Sequence, residues 1–372
     1  MLSKALLPLP EKWDGLTDKE TRLRKRYLDL ITNPEVREIF RIRHGILREM
    51  RKFFDAKGYT EVEVPILQPL YGGANAKPFT TYFNSLDTTA YLKIASELYL
   101  KRLLVAGIGP IYDISKNFRN EGIDQTHYPE FTMMELYIPY ADYTDMMNVI
   151  EEMRIAQNVL GTTTITIHDH KIDLGAPWRR VKMYDLIKEV LKVDVSEKSD
   201  QELKETAKGC KLETPEDTRR GELIFALFDK IASKTLINPT WVYDYPAEIS
   251  PLAKRKSDQP DIAERFELYV GTKEIYDGWS EMNDPQLQRQ AFEAESYRKL
   301  DEGEVAQPID EDFIEALEYG MPPAAGIGIG IERLTMFFTN TWAIQETILF
   351  PFKKSENDKN KPESTQPSET AR

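Results

Sequence analysis

Near the end of the chain the run GIGIGIERL sets Gly326, Gly328 and Gly330 at every second position. Side chains of a strand alternate between its two faces, so glycines in this spacing strip one face bare. Another backbone or a ligand can then approach that face closely. The run is not a dinucleotide fingerprint, because the spacing is wrong and no strand-helix unit with a downstream ribose acid surrounds it. Glu332 and Arg333 follow at a helix start, where an arginine can meet a phosphate.

The rest of the chain supplies partners for such a strand. Strand-like runs recur at AYLKIA, PIYDISKNF, FTMMELYI, TWVYDYP, RFELYVG and KEIYDGWSEM, and helical patterns fall at 97–105, 142–160 and 285–300. Strands come in clusters with helices between the clusters, which favours an α+β fold with an antiparallel sheet flanked by helices over a Rossmann fold. A long amphipathic helix precedes them. Asn33 stands as its cap and Pro34 in its first turn. Val36, Ile39, Phe40, Ile46, Leu47, Met50, Phe53 and Phe54 form one face, and Gly58 ends it. YTEVEVPIL then alternates apolar and polar up to Pro65, which a central strand does not tolerate.

Composition bounds the function. With 62 acidic against 49 basic residues the formal net charge is -13, so contact with nucleic acid must be local rather than spread over the surface. The single cysteine, Cys210, excludes an intramolecular disulfide framework. Together with the lack of a basic, apolar leader it sets the expectation of a cytoplasmic protein. No apolar run approaches the roughly 20 residues that cross a bilayer, so a membrane-spanning role is not expected. Residues 1–17 read as a linker and 18–354 as the catalytic unit, with a charged, Thr-rich insertion at 161–236. Residues 355–372 lack apolar side chains and are expected to be disordered. Arg22, Arg24, Lys25 and Arg26 form a basic cluster that fits a solvated helix face or an RNA contact equally.

ISKNFRNEGIDQTHYPEFTMMELY reads as a strand, a polar loop and a returning strand, carrying Arg119, Glu121, His127, Phe131 and Glu135. Arg119 and Glu121 are two apart and are expected on one face of one strand. An arginine there can clamp a phosphate, a glutamate can accept from an exocyclic amine, and an aromatic can stack on a base. The helix with YTEVEVPIL, this hairpin and GIGIGIERL resemble motifs 1, 2 and 3 of the class II aminoacyl-tRNA synthetases, in the right order. From about Leu2 to Lys354 the chain resembles the catalytic domain of lysyl-tRNA synthetases, most closely at LPEKWDGL, RYLDLITNPEVR, ELYLKRLLVAG, FRNEG, PEFTMMELY, PAEISPLAKR and IERL.

The resemblance implies a function and its residues. ATP and L-lysine would react to lysyl-adenylate with Mg2+, and lysine would pass to the 3' acceptor end of tRNA(Lys), in a homodimer with motif 1 at the interface. Arg119 would hold the α-phosphate, His127 and Arg333 the outer phosphates, Glu121 the adenine amine, and Phe131 would stack on adenine. Arg119 and Arg333 are the catalytic pair. Glu135 and Glu281, with Tyr137, match the residues that take the substrate's distal ammonium, and Gly73 and Glu97 those that take its α-amino group. Glu267 and Glu274 match the metal-binding carboxylates; oxygen ligands suit magnesium, and no His/Cys cluster suggests zinc. Asp277 stands where the family has asparagine and Trp279 where it has Phe or Tyr, both still in the lysine-binding stretch, and Thr126 and Tyr128 also depart from the pattern.

Chemistry agrees with this assignment. The attacking carboxylate is already ionised at neutral pH, so no general base is required, only positioning and positive charge around phosphorus. A buried ammonium needs a paired anion, which the acidic pair supplies. The family carries an anticodon-binding barrel before the linker, and it is expected to lie outside these residues. A ligase that attaches lysine to a protein acceptor such as elongation factor P also lacks that barrel, but this chain keeps the three glycines and RYLDLITNP. A non-catalytic paralogue would keep the fold alone; Arg119, Glu121, Glu267, Glu274 and Arg333 argue against it.

Overall fold

The computed structural model describes residues 4–10, 16–215, 217–296 and 308–355. Apart from Ser355, the tail expected at 355–372 lies outside these residues, as does the end of the helix expected at 285–300. Residues 4–10 and 16–18 take no helix or strand.

Three helices open the chain: α1 (Lys19–Arg24), α2 (Arg26–Thr32) and α3 (Pro34–Ala56). Asp18 caps α1 by accepting from the Thr21 N–H at 2.7 Å. The basic cluster here is not a freely solvated face. Arg26 is fully buried and pairs with Asp29 and Glu346, Arg22 pairs with the same two carboxylates, and Arg24 with Glu20. Lys25 alone of the four is exposed. These arginines fasten the first helices to the C-terminal segment, because a buried guanidinium must be paired. In α3, Pro34 takes the first turn as expected, but the Asn33 side chain donates to Asp29 and the Leu16 carbonyl instead of capping. Val36, Ile46, Met50 and Phe54 are buried along one stripe with Ile42 and Gly45, and Gly58 ends the helix region at φ +74°.

The alternating run after α3 is shorter as a strand than its pattern suggests. Only β1 (Thr60–Glu61) pairs in the main sheet, and the chain has changed sheets by β2 (Leu67–Gln68), with Pro65 in the crossing. A small sheet follows from β2, β3 (Thr80–Phe83) and β4 (Thr88–Leu92), then α4 (Glu97–Val105). The antiparallel hairpin β5 (Ile111–Phe118) and β6 (Glu130–Pro139) matches its prediction. The single helix expected over 142–160 is two: α5 (Tyr143–Met153), capped by Asp142, and α6 (Ile155–Leu160). Arg154 between them has φ 46°, which no helix accommodates.

Residues 161–236 contribute β7 (Thr164–Ile167), β8 (His170–Asp173), β9 (Arg179–Lys182), α7 (Met183–Leu191), α8 (Asp200–Gly209) and α9 (Arg220–Lys230). They bury Leu186, Leu203, Leu223 and Phe228 against Val242, Tyr245 and Tyr269 of the next strands. Those strands are β10 (Thr240–Pro246), β11 (Ile262–Val270) and β12 (Lys273–Ser280); α10 (Pro285–Ser296), α11 (Glu311–Glu318), β13 (Ala324–Gly330) and α12 (Ile331–Thr339) complete the chain.

The main sheet runs β1-β5-β6-β13-β12-β11-β10-β9, antiparallel through its middle and parallel only at the end pairs β1/β5 and β9/β10. This is the α+β architecture expected from the strand clusters. One face is the core: Ile327 and Ile329 of β13 meet Ile46 and Met50 of α3, Met146 and Ile150 of α5, and Leu334 and Phe337 of α12. Burying these side chains fixes the register of β13, and register fixes that the three glycines face the other way. On that face the sheet is left open over a cavity.

Candidate active site

β13 lies between β6 and β12, with Gly326 opposite Tyr137 and Trp279, and Gly328 opposite Glu135 and Asp277. A Cβ on Gly326 would stand 2.1 Å from Glu281 Oε1 and 2.5 Å from Tyr137 Cε1. None of the three glycines has a positive φ, so glycine serves here for space rather than for backbone conformation. The bare strip floors a cavity of about 450 Å³. Gly73, Glu97, Arg119, Glu121, His127, Phe131, Glu135, Tyr137, Glu274, Asp277, Trp279 and Arg333 all line it. Glu267 and Glu281, also expected there, do not.

One end of the cavity is cationic. Arg119 sits just past β5, its N–H still donating to the Pro129 carbonyl at 2.8 Å and its guanidinium 5.1 Å from the Phe131 ring centre. The expectation that Glu121 shares a strand face with Arg119 fails. The chain turns at Asn120, whose N–H bonds the Lys77 carbonyl at 2.7 Å, and Glu121 folds its own N–H back to the Arg119 carbonyl at 2.8 Å. Glu121 reaches the cavity from the loop, not from the sheet. Arg333, in the first turn of α12, donates to Glu274 at 3.1 Å and meets His127 Nε2 at 3.1 Å. Asp124 holds the other ring nitrogen of His127 at 2.7 Å. A loop residue and a helix residue are thereby aligned at one point, where an anionic ligand would find both.

The other end is acidic and buried. Glu135 accepts from the Ser96 N–H at 2.9 Å, with the Tyr137 hydroxyl at 3.4 Å. Glu97 and Glu281 share the fully buried ammonium of Lys101, at 2.6 and 2.5 Å. The Trp279 indole N–H also donates to Glu281, at 2.8 Å. Burial pushes the carboxyls of Glu97, Glu135 and Glu281 up to about 7, because removing water disfavours the charged form. Lys101 was not among the sequence candidates. Its spacing of four from Glu97 on α4 was a readable sign of an ion pair, but nothing in that spacing pointed to Glu281.

Two further arrangements revise the sequence reading. Asp277, acidic where a neutral amide was usual, is held by Arg265 through two bonds of 3.0 Å, so its charge is offset within the protein. Arg265 also donates to Glu267 at 2.7 Å, and the Tyr245 and Tyr269 hydroxyls donate to Glu267 at 2.9 and 2.7 Å. Phe228 of α9 packs edge-on against both tyrosines and covers this carboxylate. Of the expected pair of metal carboxylates, Glu274 faces the cavity and Glu267 is buried beneath Arg265 and the two tyrosines. Among the described residues no group of three or more His, Cys, Asp or Glu side chains is placed to hold a metal ion.

Residues 18–354 match the family described as tRNA synthetases class II (D, K and N). The chain is 50% identical over 358 residues to the lysine-tRNA ligase of Carboxydothermus hydrogenoformans, covering 95% of this chain and 73% of that protein. It is 49% identical over 361 residues to the lysine-tRNA ligase of Thermoanaerobacter sp., covering 96% and 72%. With the lysine-tRNA ligase of Aquifex aeolicus it shares 48% identity over 363 residues, 96% of this chain and 61% of that one. The chain belongs to the class II tRNA synthetases and, among them, to the lysine-tRNA ligase family.

Proposed function

We propose that the protein activates L-lysine with ATP to lysyl-adenylate and then transfers lysine to the 3' end of tRNA(Lys). One observation carries this reading: a single cavity over a glycine-bare strand has arginines at one end and the buried carboxylates Glu97 and Glu135 at the other, with Glu281 buried against its Gly326 floor. A substrate with two ammonium groups and a nucleotide triphosphate fit those ends by charge.

In the first step the lysine carboxylate attacks the α-phosphorus. A carboxylate oxygen–phosphorus bond forms, the bond to the bridging oxygen breaks, and pyrophosphate leaves. Arg119 would carry the α-phosphate, with Arg333 and His127 on the outer phosphates. Glu121 would accept from the adenine amine and Phe131 would stack on the base. Glu135, Tyr137 and Glu281 would take the distal ammonium, Gly73 and Glu97 the α-amino group, and Asp277 and Trp279 would border the substrate. Preorganised charge around the phosphorus is worth several kcal/mol in a water-poor site, roughly the scale needed from positioning alone. In the second step a terminal ribose hydroxyl of tRNA attacks the activated carbonyl and AMP leaves.

The carboxylate fit for Mg2+ is partial: Glu274 faces the cavity, whereas Glu267 is already engaged by two tyrosines and an arginine. A divalent ion bound there would neutralise phosphate charge. We further infer a homodimer in the cytoplasm. Exposed Ile31, Ile66 and Leu67 around the α3–β2 segment support an apolar contact there. Among the described residues no helix is long and apolar enough to cross a membrane. The test is lysine-dependent exchange of labelled pyrophosphate into ATP. Exchange is expected; its absence in folded protein refutes the reading. Charging of tRNA against labelling of a protein acceptor then separates the synthetase from a protein ligase.

A further inference from the structure

Glu281 is 1% exposed, and its two oxygens are treated differently. Oε2 receives the Lys101 ammonium at 2.5 Å and the Trp279 indole at 2.8 Å. Oε1 is fully buried and has no hydrogen-bond partner among the described residues. It lies against Gly326 and beside Tyr137, both of which line the cavity. A buried carboxylate oxygen without a donor is costly, and native structures keep such groups rarely. Here the missing donor is on the cavity side.

We propose that Lys101 is a positioning residue: with the Trp279 indole it satisfies Oε2 of Glu281 from inside the protein and leaves Oε1 as the oxygen that takes the substrate's distal ammonium. Lys101 cannot itself touch a substrate, since its ammonium is buried between Glu97 and Glu281. Its charge has a second effect. Glu97, Glu135 and Glu281 carry three negative charges when ionised, and Lys101 cancels one, which leaves a deficit that two ammonium groups fill. Without Lys101 the buried carboxyls would retain protons and hold an ammonium less well. The same contact links the α-amino end at Glu97 to the distal end at Glu281, so one buried cation sets both.

This inference rests on the proposed lysine activation, and its test separates the two. Pyrophosphate exchange is measured with wild type, Lys101→Gln and Lys101→Met, with KM for lysine and for ATP and the inhibition constant of norleucine, which lacks the distal ammonium. Lys101→Gln, which can still donate to Glu281, is expected to raise the lysine KM about tenfold, the scale of one charge-assisted hydrogen bond. The ATP KM should stay as in wild type, and norleucine should weaken far less than lysine. Lys101→Met is expected to raise the lysine KM further, by about a hundredfold; where that variant does not fold, Lys101→Gln decides alone. An unchanged lysine KM in folded Lys101→Gln, or equal weakening of lysine and norleucine, overturns the assignment. Wild type without exchange would refute the underlying function instead.

Discussion

Alanine at Gly326, Gly328 and Gly330 places the same methyl on the same face of β13, and the structure separates the three outcomes. At position 326 the new Cβ falls 2.1 Å from Glu281 Oε1 and 2.5 Å from a Tyr137 ring carbon. Neither group can retreat: Glu281 is fixed by Lys101 and Trp279, and Tyr137 is buried within the sheet. Overpacking of this kind costs about 1–3 kcal/mol. Pushing Glu281 off Lys101 also leaves a buried charge unpaired, for about 3–5 kcal/mol more. At position 328 the nearest atom is the Met133 methyl at 3.2 Å, the far end of a flexible side chain, so the cost stays below about 1 kcal/mol. At position 330 the nearest atom is Arg333 Cβ at 3.9 Å, an ordinary contact; Gly330 also precedes α12 as its N-cap, where alanine costs under about 1 kcal/mol. Thermal and urea unfolding of the three variants, with lysine and ATP binding measured beside them, tests the sequence of effects. Gly326→Ala should be much the least stable and should lose lysine binding. A Gly326→Ala protein that melts with Gly330→Ala and binds lysine normally would refute the packing argument and the placement of Glu281.

Arg119→Ala should leave the fold intact and slow adenylate formation by a factor that corresponds to about 3 kcal/mol or more; unchanged exchange kinetics in folded protein would show that the charge at phosphorus comes from elsewhere. Glu135→Gln should weaken lysine binding by about 3 kcal/mol, since it removes an anion from a buried ammonium, and leave ATP binding nearly unaltered; calorimetric titrations showing equal losses for both ligands would displace Glu135 from the subsite. Burial raises Glu97, Glu135 and Glu281 to about 7, above their ordinary value of 4.5, so the folded protein holds extra protons in between. The stability these groups contribute is full below the unfolded value and is lost as pH rises through about 7, whereas an ammonium ligand favours their ionised form. The lysine KM should therefore fall from pH about 6 to about 8, and lysine should raise the melting temperature more at the higher pH; a lysine KM that is flat over this window contradicts the shifts.

Local signals were legible wherever one short segment decided the outcome. β10 and α4 begin and end where the sequence patterns do, because strand alternation and helical periodicity are satisfied within each segment. The bare face of β13 could be read from three glycines for the same reason. Readings that depended on partners far along the chain failed. Arg22 and Arg26 look like surface charges until Glu346 from the other end of the chain comes to pair with them. Glu267, matched to a metal carboxylate by resemblance alone, gave no local sign of its enclosure by Tyr245, Tyr269 and Arg265 under α9. Arg119 and Glu121 keep a strand's spacing past the point where the strand ends. The break at Arg154 has no glycine or proline to mark it.

The two ends of the cavity also differ in how they are built, and this bears on how the enzyme would work. Glu97, Glu135 and Glu281 are buried on α4, on β6 and just past β12, each held by a backbone N–H, an indole or a buried lysine. Such side chains have little freedom to move when a ligand arrives, because they are buried and hydrogen-bonded. Glu121 and His127 stand on the loop between β5 and β6 and are exposed. His127 is placed by Asp124 on one side and Arg333 on the other, contacts that solvent screens. The acidic end is therefore preformed, while the loop side of the cationic end rests on screened contacts; under the proposed function it would gain its order from the nucleotide. Lysine should bind the free enzyme without nucleotide, and the loop 119–129 should gain hydrogen-exchange protection only when ATP is added. Protection of that loop by lysine alone would mean that the acidic end, too, is remodelled on binding.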